Sequence, residues 1–253
     1  MKEFKGSLGQ YRIIKTEDES ETIWSEYFDE NCHNISGAKD ETIYNYINGC
    51  EIKEMLKRFS PLNIFDVGFG LGMGLTLLLE TISDQNHFQI NYYSIELDEV
   101  FLEWTLNEKF KPILFKTIEL NGLKFKEAQY KNFKIIILIG DARLTVPLAI
   151  KESLFSPLHA IFQDPFSPKK NKTLWTVEWF EILKRLSHPE VILSTYSSSI
   201  SIRKALVCAG FIIENGPGFG KKRTKTRAFL KGEIDERLKK ELECSPILEL
   251  RDN

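Results

Sequence analysis

Traced for the alternation of apolar and polar positions, the chain changes texture near residue 60. Tyr11-Arg12-Ile13-Ile14-Lys15 and Thr22-Ile23-Trp24 flank an acidic turn, a pattern that predicts a hairpin. Ala38 to Ile47 and Glu51 to Phe59 carry apolar residues at helical spacing, and Ser60-Pro61 ends the second helix. From Leu62 onward short apolar runs alternate with helical patterns. Strands are predicted at Leu62–Val67, Ile90–Glu96, Phe133–Ile139, Ala160–Asp164, Val191–Thr195, Phe211–Glu214 and Arg227–Leu230. Helices are predicted at Leu75–Ile82, Glu99–Glu108, Leu174–Leu186 and Ser201–Ala209. Such alternation builds parallel β-α-β units with helices on both faces of one sheet. A loop in place of a helix between the last two strands predicts an antiparallel edge. The expected organisation is an extension over 1–60, an α/β core over 61–232 and a charged, helical tail over 233–253.

The 253 residues suffice for one large α/β domain with an appendage. A net charge of −2 predicts no general attraction to nucleic acid, so any such contact needs a local patch. Cys32, Cys50, Cys208 and Cys244 are far apart with no Cys-x-x-Cys pair, which fits buried thiols in a reducing compartment rather than disulfides or zinc. His33, His87, His159 and His188 lack ligand spacing, so no metal is expected. Lys2 and Lys5 precede no apolar h-region, and no apolar run is long enough to cross a bilayer. A cytoplasmic chain with no membrane partner is the expectation.

Ile64-Phe65-Asp66-Val67-Gly68-Phe69-Gly70-Leu71-Gly72 is an apolar strand running through an acidic residue into alternating glycines. Gly68, Gly70 and Gly72 permit a tight turn and close approach of a ligand, beside a helix whose first N–H groups are unpaired. Dinucleotide enzymes have similar turns. The carboxylates sharpen the choice. Asp66 suits the ammonium end of a methionine moiety rather than a pyrophosphate. Glu96, ending the second strand, stands where an acid accepts from ribose hydroxyls, and Asp141 follows the third strand near an adenine amino group. Together these favour S-adenosylmethionine over NAD.

The fourth strand delivers Asp164 to the crevice, and Pro165, Phe166 and Pro168 stiffen the segment after it, with Phe166 a flat wall for a planar base. Tyr196, at the end of the fifth strand, is a candidate pocket residue. Between Gly216 and Lys231 lie Lys221, Lys222, Arg223, Lys225, Arg227 and Lys231 without an acidic residue, and Lys169 and Lys170 add charge beside Asp164. Such runs are commonly solvated hairpins; here they are candidate phosphate contacts.

Asp164-Pro165-Phe166-Ser167-Pro168-Lys169-Lys170-Asn171, with Leu174-Trp175 after it, resembles the motif of tRNA 5-methylaminomethyl-2-thiouridine methyltransferases, the MnmC-like family. Asp66 to Gly72, Ser194-Thr195-Tyr196-Ser197-Ser198-Ser199, Gly218-Phe219-Gly220-Lys221-Lys222-Arg223 and His33-Asn34-Ile35-Ser36-Gly37-Ala38 with Glu41 are similar to further family segments. The resemblance runs from about Thr22 to Leu230. It implies a class I, Rossmann-like S-adenosylmethionine-dependent methyltransferase with a seven-stranded, mostly parallel sheet and an N-terminal α/β extension. The implied reaction is methylation of the 5-aminomethyl amine of a wobble uridine in the tRNA anticodon loop. Asp164 would orient that amine and accept or relay its proton, His33 would line the mouth of the pocket, and the lysines and Arg223 would hold tRNA.

Lys172 stands where the family usually has Pro, and Gln163 where it is usually apolar. Bifunctional relatives carry a C-terminal FAD-dependent oxidase for which this chain has no length, so action on an existing aminomethyl group is expected. An aminopropyltransferase such as spermidine synthase, or a small-amine methyltransferase, also pairs a sulfonium with an amine, but the basic run disfavours a polyamine. A non-catalytic RNA-binding module is the remaining alternative, and acids at four strand ends speak against it.

Overall fold

A computed structural model describes residues 2–82, 88–217 and 224–252. The first strands, β1 (Glu3–Lys5), β2 (Gln10–Lys15), β3 (Glu21–Ser25) and β4 (Glu30–Asn31), form an antiparallel sheet in that order, which contains the expected hairpin. Helix α1 (Ala38–Thr42) widens into a π-turn over Ile43–Ile47, and α2 (Ile52–Arg58) follows. The core then alternates: β5 (Leu62–Val67), α3 (Met73–Ile82), β6 (Ile90–Glu96), α4 (Glu99–Lys109), β7 (Lys116–Leu120), β8 (Leu123–Tyr130), β9 (Phe133–Ile139), α5 (Ala142–Lys151), β10 (Leu158–Gln163), α6 (Val177–Leu186), β11 (Ser187–Thr195), α7 (Ile200–Cys208), β12 (Ile212–Pro217), β13 (Thr224–Phe229) and α8 (Glu236–Cys244).

Among the described residues the large sheet has nine strands in the order β12-β13-β11-β10-β5-β6-β9-β8-β7, not seven. β11, β10, β5, β6 and β9 are parallel; β13 and β12 make the expected antiparallel edge. The two extra strands, β7 and β8, add a hairpin to the opposite edge through Asn121-Gly122, both at positive φ, which suits a tight hairpin turn. β10 ends at Gln163, so Asp164 lies just beyond the strand.

Period-two alternation sends the side chains of β5 into two different cores. Leu62 and Ile64 pack with α2, α3 and the π-turn, whereas Phe65 and Val67 pack with α5, α6 and α7. Sandwiched between helices, β5 and β10 are buried along their whole length, and their C-terminal ends converge on one crevice. The tail is held to this body. Leu238 and Leu242 of α8 are buried in the second core, and the carbonyl of Leu250 accepts from Val177 N–H at 2.9 Å.

The N-terminal sheet lies over that crevice, pinned by Asp98. Its carboxylate caps α4 through Val100 and Phe101 N–H, accepts from Ser7 and Leu8 N–H at 3.0 and 2.8 Å, and takes the Tyr11 hydroxyl at 3.0 Å. Burial works against that charge, but these donors outweigh it and hold the carboxyl below its usual range. Phe4, Tyr11, Phe101 and Trp104 stack behind it, with Phe4 and Trp104 centroids 4.2 Å apart.

Candidate active site

The glycines after β5 have three distinct roles. Gly68 (φ 103°) passes so close to the fourth-strand loop that a Cβ would meet the Asp164 carbonyl oxygen at 3.3 Å. Gly70 (φ 54°) faces open space, its N–H donating to Glu96 Oε2 at 3.0 Å. At Gly72 (φ 69°) a Cβ would lie 2.5 Å from the Phe110 ring. Thus Gly68 brings two strand ends together, Gly70 leaves a floor clear, and Gly72 makes room for packing.

Above this turn lies a trough in two connected parts. One, of about 520 Å³, is lined by Leu8, Tyr11, Phe28, Gly68, Gly70 and Glu96, among others. The other, of about 970 Å³, reaches Leu97, Asp141, Ala142, Pro165 and Phe166. The enclosed space is about 50 Å³ in the first part and about 350 Å³ in the second, and the second is of a size for a small-molecule site. Phe28, from the loop between β3 and β4, stacks on Phe166 with centroids 4.1 Å apart and roofs both parts. Asp29 pairs with Lys170 at 3.1 Å, and Glu30 Oε2 accepts Ser167 N–H at 2.9 Å, tying the same loop to the fourth-strand motif.

Glu96 and Asp141 line the trough, whereas Asp66 lines a small cavity beside it that also touches Gly68 and Asp164. Asp66 is buried, accepts the Tyr92 hydroxyl at 2.7 Å, and has its carboxyl pushed up to about 7 by that burial. Glu96 is likewise pushed up to about 7 by burial, although Asp98 and Gly70 N–H groups stabilise its anion. Asp141 is exposed and caps α5 through Arg143 N–H at 2.8 Å. This donor set fits S-adenosylmethionine: clear space over Gly70, carboxylates raised by desolvation that a cationic or hydroxyl-rich ligand would relieve, and an apolar cover from Phe166 and Leu97.

Asp164 joins the trough to a second, polar chamber lined by Glu30, Asn34, Glu41, Ser167 and Tyr196, among others. Its Oδ1 accepts the Tyr46 hydroxyl at 2.5 Å, and His33 Nε2 lies 3.7 Å from its Oδ2. Tyr46 sits on the π-turn, whose Asn45 carbonyl accepts from Ser194 Oγ at 2.5 Å. Tyr196 donates to the Pro165 carbonyl at 3.1 Å and meets Trp175 edge-on. Gln163, a polar residue at the end of β10, is fully buried and satisfied: it donates to the Leu174 carbonyl at 2.6 Å and accepts from Trp179 Nε1 at 3.2 Å. It anchors the loop that carries Phe166.

Lys169 and Lys170 are exposed at the mouth. Lys221, Lys222 and Arg223 lie outside the described residues. Lys225 departs from the expected basic surface. It is only 3 % exposed, and its ammonium donates to the Tyr44 and Asn45 carbonyls, so it braces the π-turn instead of reaching a phosphate. Arg227, also in the basic run, pairs with Glu51 and Glu214. Sequence reasoning missed Asp98, Phe28, Glu30 and Tyr46. Asp98 carried a legible cap signal ahead of α4, but nothing local marks the other three.

A family model described as S-adenosyl-L-methionine-dependent methyltransferase matches residues 106–231. The fold is similar to the crystal structure of MNMC2 from Aquifex aeolicus, with a TM-score of 0.77 and 28 % identity, covering 96 % of this chain and 79 % of that one. Over 247 residues the chain is 29 % identical to the uncharacterized protein MJ0670 of Methanocaldococcus jannaschii, covering 90 % of this chain and 64 % of that protein. It is 28 % identical over 200 residues to the tRNA 5-methylaminomethyl-2-thiouridine biosynthesis bifunctional protein MnmC of Campylobacter hominis, covering 76 % of this chain. That match spans only 29 % of the Campylobacter protein's length.

Proposed function

We propose that this chain, an S-adenosyl-L-methionine-dependent methyltransferase similar to MnmC proteins, methylates the primary amine of a 5-aminomethyl wobble uridine in tRNA. The observation that carries this reading is the position of Asp164, a carboxylate at the junction of the cofactor trough and a polar chamber containing Glu30 and Glu41. An acidic chamber of this kind receives a cationic alkylamine.

Asp66, Glu96 and Asp141 would hold the methionine ammonium, the ribose hydroxyls and the adenine amino group. The bound cofactor supplies an electrophilic methyl on a sulfonium. The chain's own residues handle the acceptor. An alkylammonium has no lone pair, so the amine must lose a proton before it reacts. Asp164 orients the nitrogen and relays that proton; because a carboxylate is a weak base for an amine, orientation carries most of its effect. Tyr46 fixes the carboxylate from one side. The Phe28–Phe166 roof keeps water from the reacting atoms.

Lys169 and Lys170 at the mouth would meet backbone phosphate, together with Lys221, Lys222 and Arg223. The affinity they supply falls with salt and carries little sequence information. A single uridine reaches the chamber unstacked more readily from an anticodon loop than from a duplex.

The test mixes the protein with S-adenosylmethionine and tRNA bearing 5-aminomethyluridine and analyses digested nucleosides by mass spectrometry. The expected product is the methylaminomethyl nucleoside. Asp164→Asn should lower its rate by about 10²–10⁴ if the group takes the proton, with cofactor affinity retained. Tight cofactor binding without methyl transfer to tRNA overturns the reading and makes small amines the next acceptors to try.

A further inference from the structure

His33 has no role in the reaction described so far, yet it lines all three cavities that meet at Asp164. Its side chain is 9 % exposed and its Nε2 lies 3.7 Å from Asp164 Oδ2, too far for a direct hydrogen bond. It is held from behind by β3: its backbone N–H donates to Thr22 Oγ1 at 3.0 Å, and Nδ1 lies 3.4 Å from the same oxygen. Since Tyr46 holds Oδ1, it is Oδ2 that faces the imidazole. Asp164 in front, Asp18 nearby, Glu30 and Glu41 in the outer chamber, and Asp66 and Glu96 across the adjoining cavities are charged groups around it. Burial outweighs the pull of Asp18 and lowers the imidazole to about 4, so the ring is neutral at physiological pH. With Nδ1–H placed on Thr22, Nε2 presents a lone pair. Two acceptors at this spacing converge on a single nitrogen about 2.9 Å from each.

We propose that His33 Nε2 and Asp164 Oδ2 form a two-acceptor fork that limits the enzyme to one methyl group per amine. The inference rests on the amine-methyltransferase reading above. A primary amine attacking through its lone pair retains two N–H bonds, one for each acceptor. As the new C–N bond forms, the C–S bond breaks, its electron pair stays on sulfur, and the positive charge passes to nitrogen. The product leaves as a secondary ammonium. Returned as a free base, that amine has one N–H, so a second attack would turn its methyl group toward one of the two acceptors and leave the fork half satisfied. His33 therefore sets product specificity rather than rate alone.

His33→Leu removes the acceptor and leaves an apolar wall that tolerates a methyl. Wild-type and variant protein are compared on tRNA bearing 5-aminomethyluridine with excess S-adenosylmethionine, the nucleosides being resolved by mass spectrometry. The wild type should stop at the monomethyl nucleoside. The variant should perform the first transfer about tenfold more slowly, as expected for one lost hydrogen bond, and accumulate the dimethyl product. His33→Gln, which restores an acceptor oxygen, should return the product to monomethyl. A second readout needs no cofactor: the wild type should bind the primary-amine tRNA more tightly than the dimethylamine tRNA, and His33→Leu should lose that preference. If His33→Leu fails to hold cofactor, Thr22→Val, which removes the partner of Nδ1, carries the same expectation. Monomethyl product alone from a variant that binds cofactor, with the binding preference intact, overturns the fork and leaves the reading standing. A wild type that methylates no tRNA overturns the reading itself.

Discussion

The hydroxyl of Tyr46 donates to Oδ1 of Asp164 at 2.5 Å, joining the π-turn to the end of the fourth core strand. Burial and the neighbouring carboxylate both push the phenol well above its ordinary range, so Tyr46 remains a donor at any working pH. Tyr46→Phe removes this hold on Oδ1 of Asp164. A hydrogen bond to a charged group contributes roughly 1.5–3 kcal/mol, so kcat should fall by about 10- to 100-fold with cofactor Kd unchanged. Single-turnover kinetics and calorimetry check the two halves; equal losses in both would mean that Tyr46 shapes the trough instead.

Asp66 links stability to cofactor binding. Its carboxyl lies at about 7 in the fold against an ordinary value of 3.8. An acid raised in this way stabilises the fold below its unfolded value, and that stability is lost as pH rises through the folded value. The buried charge therefore costs on the order of 4 kcal/mol above pH 7. Cofactor-free Asp66→Asn should melt above the wild type at pH 8, with the gap closing toward pH 4, and should bind S-adenosylmethionine more weakly. In the wild type, cofactor affinity should rise between pH 6 and 8 as Asp66 ionises. A pH-independent gap would mean that the charge is already compensated without ligand.

The glycine turn separates binding from folding. Gly70→Ala puts a methyl into open space with a left-handed φ of 54°, costing roughly 1–2 kcal/mol. It should fold and lose cofactor affinity. Gly72→Ala must displace the buried Phe110 ring and should lose more stability. Melting curves and cofactor titrations distinguish the two; a Gly70→Ala protein with normal affinity would place the ligand away from this turn.

Phe28→Ala removes one half of the roof. The stacked pair contributes roughly 0.5–1.5 kcal/mol beyond its area, so the melting temperature should change little while the cofactor dissociates faster. Stopped-flow release of S-adenosylmethionine measures it, and an unchanged off-rate would mean that the roof does not gate the trough.

The parts of the fold buried on both faces were legible because continuous apolar runs such as Ile135 to Ile139 have few other homes. The hairpin of β7 and β8 was not, since Lys124, Lys126 and Glu127 make it look like surface. Lys126 is nonetheless buried, its ammonium taken by Glu103 and by Thr117 Oγ1. Pro147 hid α5, which tolerates it within the helix. Strand-end acids could be placed because the sheet dictates where strand ends converge. Tyr46 and Glu30 could not be assigned to Asp164, and His33 only by resemblance, since their meeting depends on how the N-terminal sheet settles over the crevice, and no local pattern encodes that.

That settling gives the two halves of the site different evolutionary freedom. One half rests on buried strand-end residues such as Asp66 and Phe69, so drift there is paid in folding. Much of the chamber opposite, from Glu30 through Asn34 to Glu41, comes from the short strand β4, the connection after it and helix α1. A change in that stretch alters the chamber while leaving the strand-end residues in place.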